Sequence, residues 1–207
     1  MMQPQHRRRS IRLKGYDYAT SGAYFVTVCT QNRACLFGDV VDNAVRLNEY
    51  GGIVLACWDE ITAHFAHVEL DAFVVMPNHV HGIIMLTDGI HGASVPPITP
   101  VGAQHAAPLS VSRTPRPRVQ PSSLGAIIRA FKSAVTQRIN AVRRRGTGAA
   151  YCAPTSSPVW QRNYYEHVIR NEEALHRLRE YIRDNPASWA DDEENPHRQI
   201  LPAQEKS

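Results

Sequence analysis

The stretch that most constrains the fold runs Ala72-Phe73-Val74-Val75-Met76-Pro77-Asn78-His79-Val80-His81-Gly82-Ile83-Ile84-Met85-Leu86. Two apolar runs rich in branched residues flank a Pro-Asn break, the pattern of two strand segments about a kink or bulge. His79 and His81 fall just past that break. On a strand, a spacing of two points both imidazoles to one face and sends Val80 to the other. Two histidines side by side on a rigid strand form half of a divalent-metal site. One packed and one exposed histidine is the plainer reading of that spacing taken alone.

The periods on either side supply the rest of a fold. Ala23 to Thr30 alternates as a strand, and the runs Cys35–Val41 and Ala44–Leu47 form a hairpin extension around Asp42-Asn43. Ile53, Val54, Cys57, Trp58, Ile61 and Phe65 then recur at helical spacing, with Gly51-Gly52 blurring the helix start. Strand, helix, strand, strand in this order predicts an α+β fold of ferredoxin-like, split-βαβ type, with a central antiparallel sheet and helices packed on it. Leu124, Ile127, Ile128, Phe131, Val135, Ile139 and Val142 make the cleanest helical stripe, capped by Ser122 or Ser123. A final helix starts at the N-cap Asn171, buries Leu175, Leu178 and Ile182, and ends near Asn185 because Pro186 follows.

Between these elements lie segments of another kind. Residues 89–121 hold seven prolines and almost no periodicity, and read as a surface insertion. Residues 146–158 are a second Gly/Pro/Ser linker. A chain of 207 residues suits one domain with an elaboration: a basic arm over 1–21, a domain over 22–187 interrupted by the insertion, and a charged, frayed tail over 188–207. The basic N-terminal run leads into no apolar segment, no apolar run reaches membrane-spanning length, and the four cysteines show no Cys-x-x-Cys spacing. The expectation is a soluble, cytoplasmic protein with reduced thiols.

The formal charge is only +4, but it is segregated. No Asp or Glu occurs between Asp88 and Glu166, while ten Arg or Lys lie there, and the residues from Glu166 onward are net acidic. A face of one sign fits a polyanion, above all nucleic acid. Arg129, Lys132 and Arg138 lie off the stripe of the long helix, and Arg143, Arg144 and Arg145 close it. These six are the candidate phosphate contacts, although a basic helix end also complements the helix dipole. Tyr164, Tyr165 and Trp160 are candidates for stacking on unpaired bases, with core packing the plainer role for at least two of them.

Tyr181 lies beside the buried stripe of the last helix and shares a face with Asn185, one turn on. A helix holds a phenol rigidly, as in-line attack on phosphorus requires. His79-Val80-His81 after Met-Pro-Asn resembles the metal motif of the HUH single-tyrosine transposases. Trp160-Gln161, then Tyr165-Glu166-His167-x-Ile169-Arg170, then Tyr181-Ile182-x-x-Asn185-Pro186 resembles the C-terminal half of their REP-associated branch, found with bacterial insertion sequences. The resemblance covers roughly residues 11–88 and 122–187.

The resemblance implies a transposase acting on single-stranded or hairpin DNA, with Tyr181 as nucleophile and a 5′-phosphotyrosine intermediate. It implies a metal site of His79, His81 and a polar side chain at Asn185, where many relatives carry the longer Gln. The cofactor would be Mg²⁺ or Mn²⁺, the partner DNA and no membrane. Whether the histidines and Tyr181 meet within one chain or across a homodimer stays open. So do two other functions: an HUH single-strand nuclease or relaxase, and a non-catalytic DNA-binding regulator derived from a transposase.

Overall fold

A computed structural model of the protein describes residues 16–88, 120, 122–146 and 158–198. Most of the expected arm, insertion and second linker therefore lie outside the described residues. Strand β1 (Gly22–Cys29) is followed by a hairpin of β2 (Gly38–Val41) and β3 (Ala44–Leu47), then helices α1 (Glu49–Asp59) and α2 (Ile61–His64). Strands β4 (Val68–Val75) and β5 (His79–Leu86) come next, then α3 (Leu124–Gly146), β6 (Tyr165–Ile169) and α4 (Glu172–Asp184).

The main sheet has the order β4-β5-β1-β6 with every neighbouring pair antiparallel, the expected split-βαβ arrangement. The Pro-Asn break is a hairpin turn between β4 and β5, not a kink within one strand. Its closing bond runs from the Met76 amide to the His79 carbonyl, 2.9 Å. The irregularity that the apolar run does contain sits earlier in β4, between Leu70 and Phe73. At the tip of the β2–β3 hairpin, Asp42 (φ 53°) and Asn43 (φ 60°) both take left-handed conformations. That is a two-residue turn matched to the strand twist, and Asn and Asp tolerate it best.

The sheet is covered on both faces, which separates the two halves of the chain's chemistry. On one face α1 and α3 bury Val54, Cys57 and Trp58 together with Ile127, Ile128, Phe131, Val135 and Ile139. Gly82 of β5 faces this side, where a Cβ would meet the Trp58 ring at 2.5 Å. Trp58 lies flat on Phe73, with ring centroids 4.2 Å apart, so only glycine leaves room for it. On the other face α4 buries Leu175 and Ile182 against Phe25, Ile83 and Ile169. Each such side chain stabilises the fold by roughly 1.5–3 kcal/mol when fully buried.

Both ends of the domain extend past the boundaries read from the sequence. Tyr16 and Tyr18 pack edge-on, 5.0 Å apart, and both lie against Tyr24. The Tyr18 carbonyl also accepts the Leu124 amide, so residues 16–21 join the core instead of ending an arm. Residues 188–198 return to the sheet instead of fraying: Arg33 pairs with Glu194 at 2.8 Å and donates to the Glu193 carbonyl at 2.9 Å. Among the described residues no helix is long and apolar enough to cross a membrane.

Candidate metal and tyrosine site

Odd-numbered residues of β5 face α4, and His79 and His81 are the first two of them. Their Nε2 atoms are 3.0 Å apart, at side chains 0% and 3% exposed. What orients each ring is a partner on Nδ1. The Asn78 amide donates to the carbonyls of Arg33 (3.0 Å) and Glu194 (2.6 Å). Its oxygen is thereby turned to His79, whose Nδ1 donates to it at 2.8 Å. His81 Nδ1 meets the Thr27 hydroxyl at 2.9 Å across the strand pair. With the proton on Nδ1, each imidazole presents a bare Nε2 lone pair, as metal-ligating histidines do. Burial pushes the pKa of His79 down to about 4, opposed by nearby Asp192 and assisted by Arg33. Burial, with His79 beside it, holds His81 well below its usual value too. Both rings are neutral at pH 7.

Helix α4 brings a phenol to this pair. The Asn171 side chain caps it by accepting the Ala174 amide at 2.8 Å, and Glu172 and Glu173 fill its first turn. Arg179 clamps it to β4 through three contacts of 2.6–3.1 Å to the Asp71 carboxylate. Tyr181 stays 48% exposed, with its hydroxyl 3.4 Å from His81 Nε2. Phe25 lies between Tyr181 and Tyr165, its ring 6.0 Å from the first and 6.3 Å from the second. Burial raises the Tyr181 pKa, and Asp192, Glu193 and Glu194 raise it further, against a lowering hydrogen bond from Asn185.

Asp192 was missed in the sequence. Its carboxylate lies 3.9 Å from His79 Nε2, and ligand atoms of His79, His81 and Asp192 fall within 4.8 Å of one another. Asn185, 2% exposed, is drawn to the same point. Its Nδ2 donates to Asp192 at 3.4 Å, while its Oδ1 is buried without a hydrogen-bond partner. Two facing imidazole lone pairs, a carboxylate and an orphaned carbonyl oxygen fit a divalent cation. The one signal for Asp192 is the acid run Asp191-Asp192-Glu193-Glu194, which falls in the expected charged, frayed tail.

The basic residues of α3 lie elsewhere. The helix packs on the face of the sheet opposite α4. Arg138 is taken up by a two-pronged pair with Glu60, 2.9 and 2.5 Å. Lys132 donates to the carbonyls of Gln161 (2.6 Å) and Arg162 (3.2 Å), and burial lowers its pKa. Arg143 lies 5.7 Å over the Tyr50 ring and donates to Asn140. Arg129, Arg144 and Arg145 are exposed. Trp160 packs with Phe37 and Phe131 in the core. Beside Tyr181 instead runs a groove of about 970 Å³, with Gln161 to Tyr165 lining it together with Ser188 and Asp191 to Glu194.

No protein-family model matches the chain. A Haemophilus influenzae protein described only as uncharacterized is 38% identical over 191 residues, 91% of this chain and 93% of that one. A solved structure of a REP-associated tyrosine transposase bound to a REP hairpin is similar at 18% identity and a TM-score of 0.48. The similarity covers 86% of this chain and 73% of that one. By the identity and length of the shared sequence, the chain belongs to one family with the Haemophilus influenzae protein.

Proposed function

We propose that this chain is a single-tyrosine transposase of the HUH type, cleaving single-stranded DNA and transferring the cut strand. The observation that carries the reading is the Tyr181 hydroxyl at 3.4 Å from His81 Nε2, beside the Nε2 of His79. A nucleophile next to a ready cation site is what phosphodiester chemistry needs. His79, His81 and Asp192 would hold Mg²⁺ or Mn²⁺, with Asn185 Oδ1 available to it, and the cation would supply Lewis acidity toward the phosphate.

The protein's own groups do the rest. Asn78 and Thr27 fix the two imidazoles, and α4 fixes the phenol. The Tyr181 oxygen bonds to phosphorus as the P–O3′ bond breaks. The phenol gives up its proton and the leaving oxygen gains one, ending as a 3′-OH. Attack of a 3′-OH on the 5′-phosphotyrosine reverses the balance and joins DNA. The raised phenol pKa suits this order, because Tyr181 stays protonated until positive charge is present beside it.

His79, His81, Asp192 and Tyr181 meet within one chain, which supports attack in cis. Arg129, Arg144 and Arg145 are the members of the expected phosphate-contact set whose side chains are exposed on α3. The test is incubation with single-stranded hairpin DNA and Mn²⁺, followed by a denaturing gel. A covalent adduct with rejoined DNA supports the transposase; an adduct without rejoining points to a relaxase; no adduct refutes both.

A further inference from the structure

Tyr165 is the second half-exposed aromatic on the catalytic face. The register Tyr165–Thr27–His81 runs across β6, β1 and β5, so Tyr165 stands in the same cross-strand row as a metal-site histidine. At the usual strand spacing its Cα is about 10 Å from that of His81, two strands away. Its side chain is 40% exposed and lines the groove that Tyr181 borders. Large apolar side chains rarely stand so open, and only four do among the described residues. Tyr165 and Tyr181 are two of them.

The walls of the groove decide what can lie there. Its lining includes Asp191, Glu193 and Glu194, which repel phosphate, and Arg162 and Tyr165, on a segment held at both ends. The Gln161 amide bonds the Cys29 carbonyl at 2.9 Å, Lys132 ties the carbonyls of Gln161 and Arg162, and β6 pairs with β1. A ring on a fixed strand and a guanidinium lining the same groove, with the ring about one or two nucleotides from the reacting centre, have the composition of a base-stacking platform.

We infer that Tyr165 stacks on an unpaired base flanking the scissile phosphate. This rests on the reading of the site as a DNA-cleaving centre. A paired base has both faces covered by its neighbours and cannot reach the ring without being extruded.

The experiment measures affinity for a fluorescent single-stranded oligonucleotide with Mn²⁺, in a Tyr181→Phe background that prevents cleavage. Tyr165→Leu keeps apolar bulk without a π face and should weaken binding about tenfold. Tyr165→Phe should bind within about twofold, since it keeps the ring. An abasic site scanned along the strand should cost Tyr165 protein the same factor at one position, and cost Tyr165→Leu nothing more there. Equal binding by Tyr165→Leu, or additive losses at every abasic position, overturns the assignment. Should Tyr165→Leu fail to fold, Tyr165→Trp decides. Its emission should be quenched by the intact strand and not by the abasic one, and equal quenching overturns the inference. A parent protein that binds no single strand sinks the underlying reading as well; one that binds and shows no Tyr165 effect sinks only this step.

Discussion

Tyr181 and His81 are 100 residues apart in the chain, and the hydroxyl of one lies 3.4 Å from Nε2 of the other. The contact exists because β5 and α4 share one face of the sheet, and Arg179 and Asp71 lock their relative position. Tyr181→Phe deletes one oxygen from a half-exposed side chain, so stability should change by no more than about 0.5 kcal/mol. The variant should keep its DNA affinity and form no covalent adduct on a denaturing gel. Tyr165→Phe should still form the adduct, and the opposite pattern would move the nucleophile to β6.

The cation prediction concerns ligands. Mn²⁺ should raise the melting temperature of the parent protein, as any ligand selective for the folded state does. His79→Ala and His81→Ala should abolish the shift. Asp192→Asn should weaken Mn²⁺ binding by at least about tenfold in calorimetry, a loss typical of a disturbed metal site. An unchanged affinity would return residues 188–198 to the role of a packed tail.

How much of this could be read beforehand depended on whether the signal was local. The strand at Ala23, the paired strands about Pro77, the stripes of α3 and α4 and the Asp42-Asn43 turn all follow from period or from backbone preference within a few residues. That His79 and His81 share one strand face, and Tyr181 and Asn185 one helix face, was legible because spacing on a regular element fixes which face a side chain takes. The place of Asp192 beside them was not, because the Asn78 amide and Arg33, far away in the chain, help draw its segment onto the site. Two of the α3 charges have partners that are equally distant in the chain: Glu60 pairs with Arg138, and the carbonyls of residues 161 and 162 accept from Lys132.

Buried neutral imidazoles make the metal-free protein sensitive to acid. The folded pKa of His79 is about 4, below an unfolded value near 6.5. Between those values the unfolded chain binds more protons, so stability rises with pH through that window. It is fully present above about pH 6.5 and is lost as pH falls toward 4, by on the order of 3 kcal/mol for one such group. His81 acts in the same direction. Urea melts in EDTA at pH 7 and pH 4.5 should show the loss, and a His79→Gln variant should show less of it. Equal losses in both proteins would place the acid sensitivity elsewhere.

The opposed positions of α3 and α4 lead to a separable prediction about DNA. Arg162 borders the groove beside Tyr181, whereas Arg129, Arg144 and Arg145 are exposed on the helix across the sheet. A short single-stranded oligonucleotide can fill the groove without reaching α3, while a hairpin has a stem that can extend around the sheet edge. Arg162→Ala should therefore reduce the salt dependence of both substrates by about one unit of slope. Neutralising Arg129, Arg144 and Arg145 together should lower the slope for the hairpin by up to about three units and leave the short strand unchanged. Binding titrations of both DNAs across a range of salt read the two slopes directly. A triple variant that loses the short strand as well would put α3 on the path of the cleaved strand, and an unaltered hairpin slope would remove α3 from the interface.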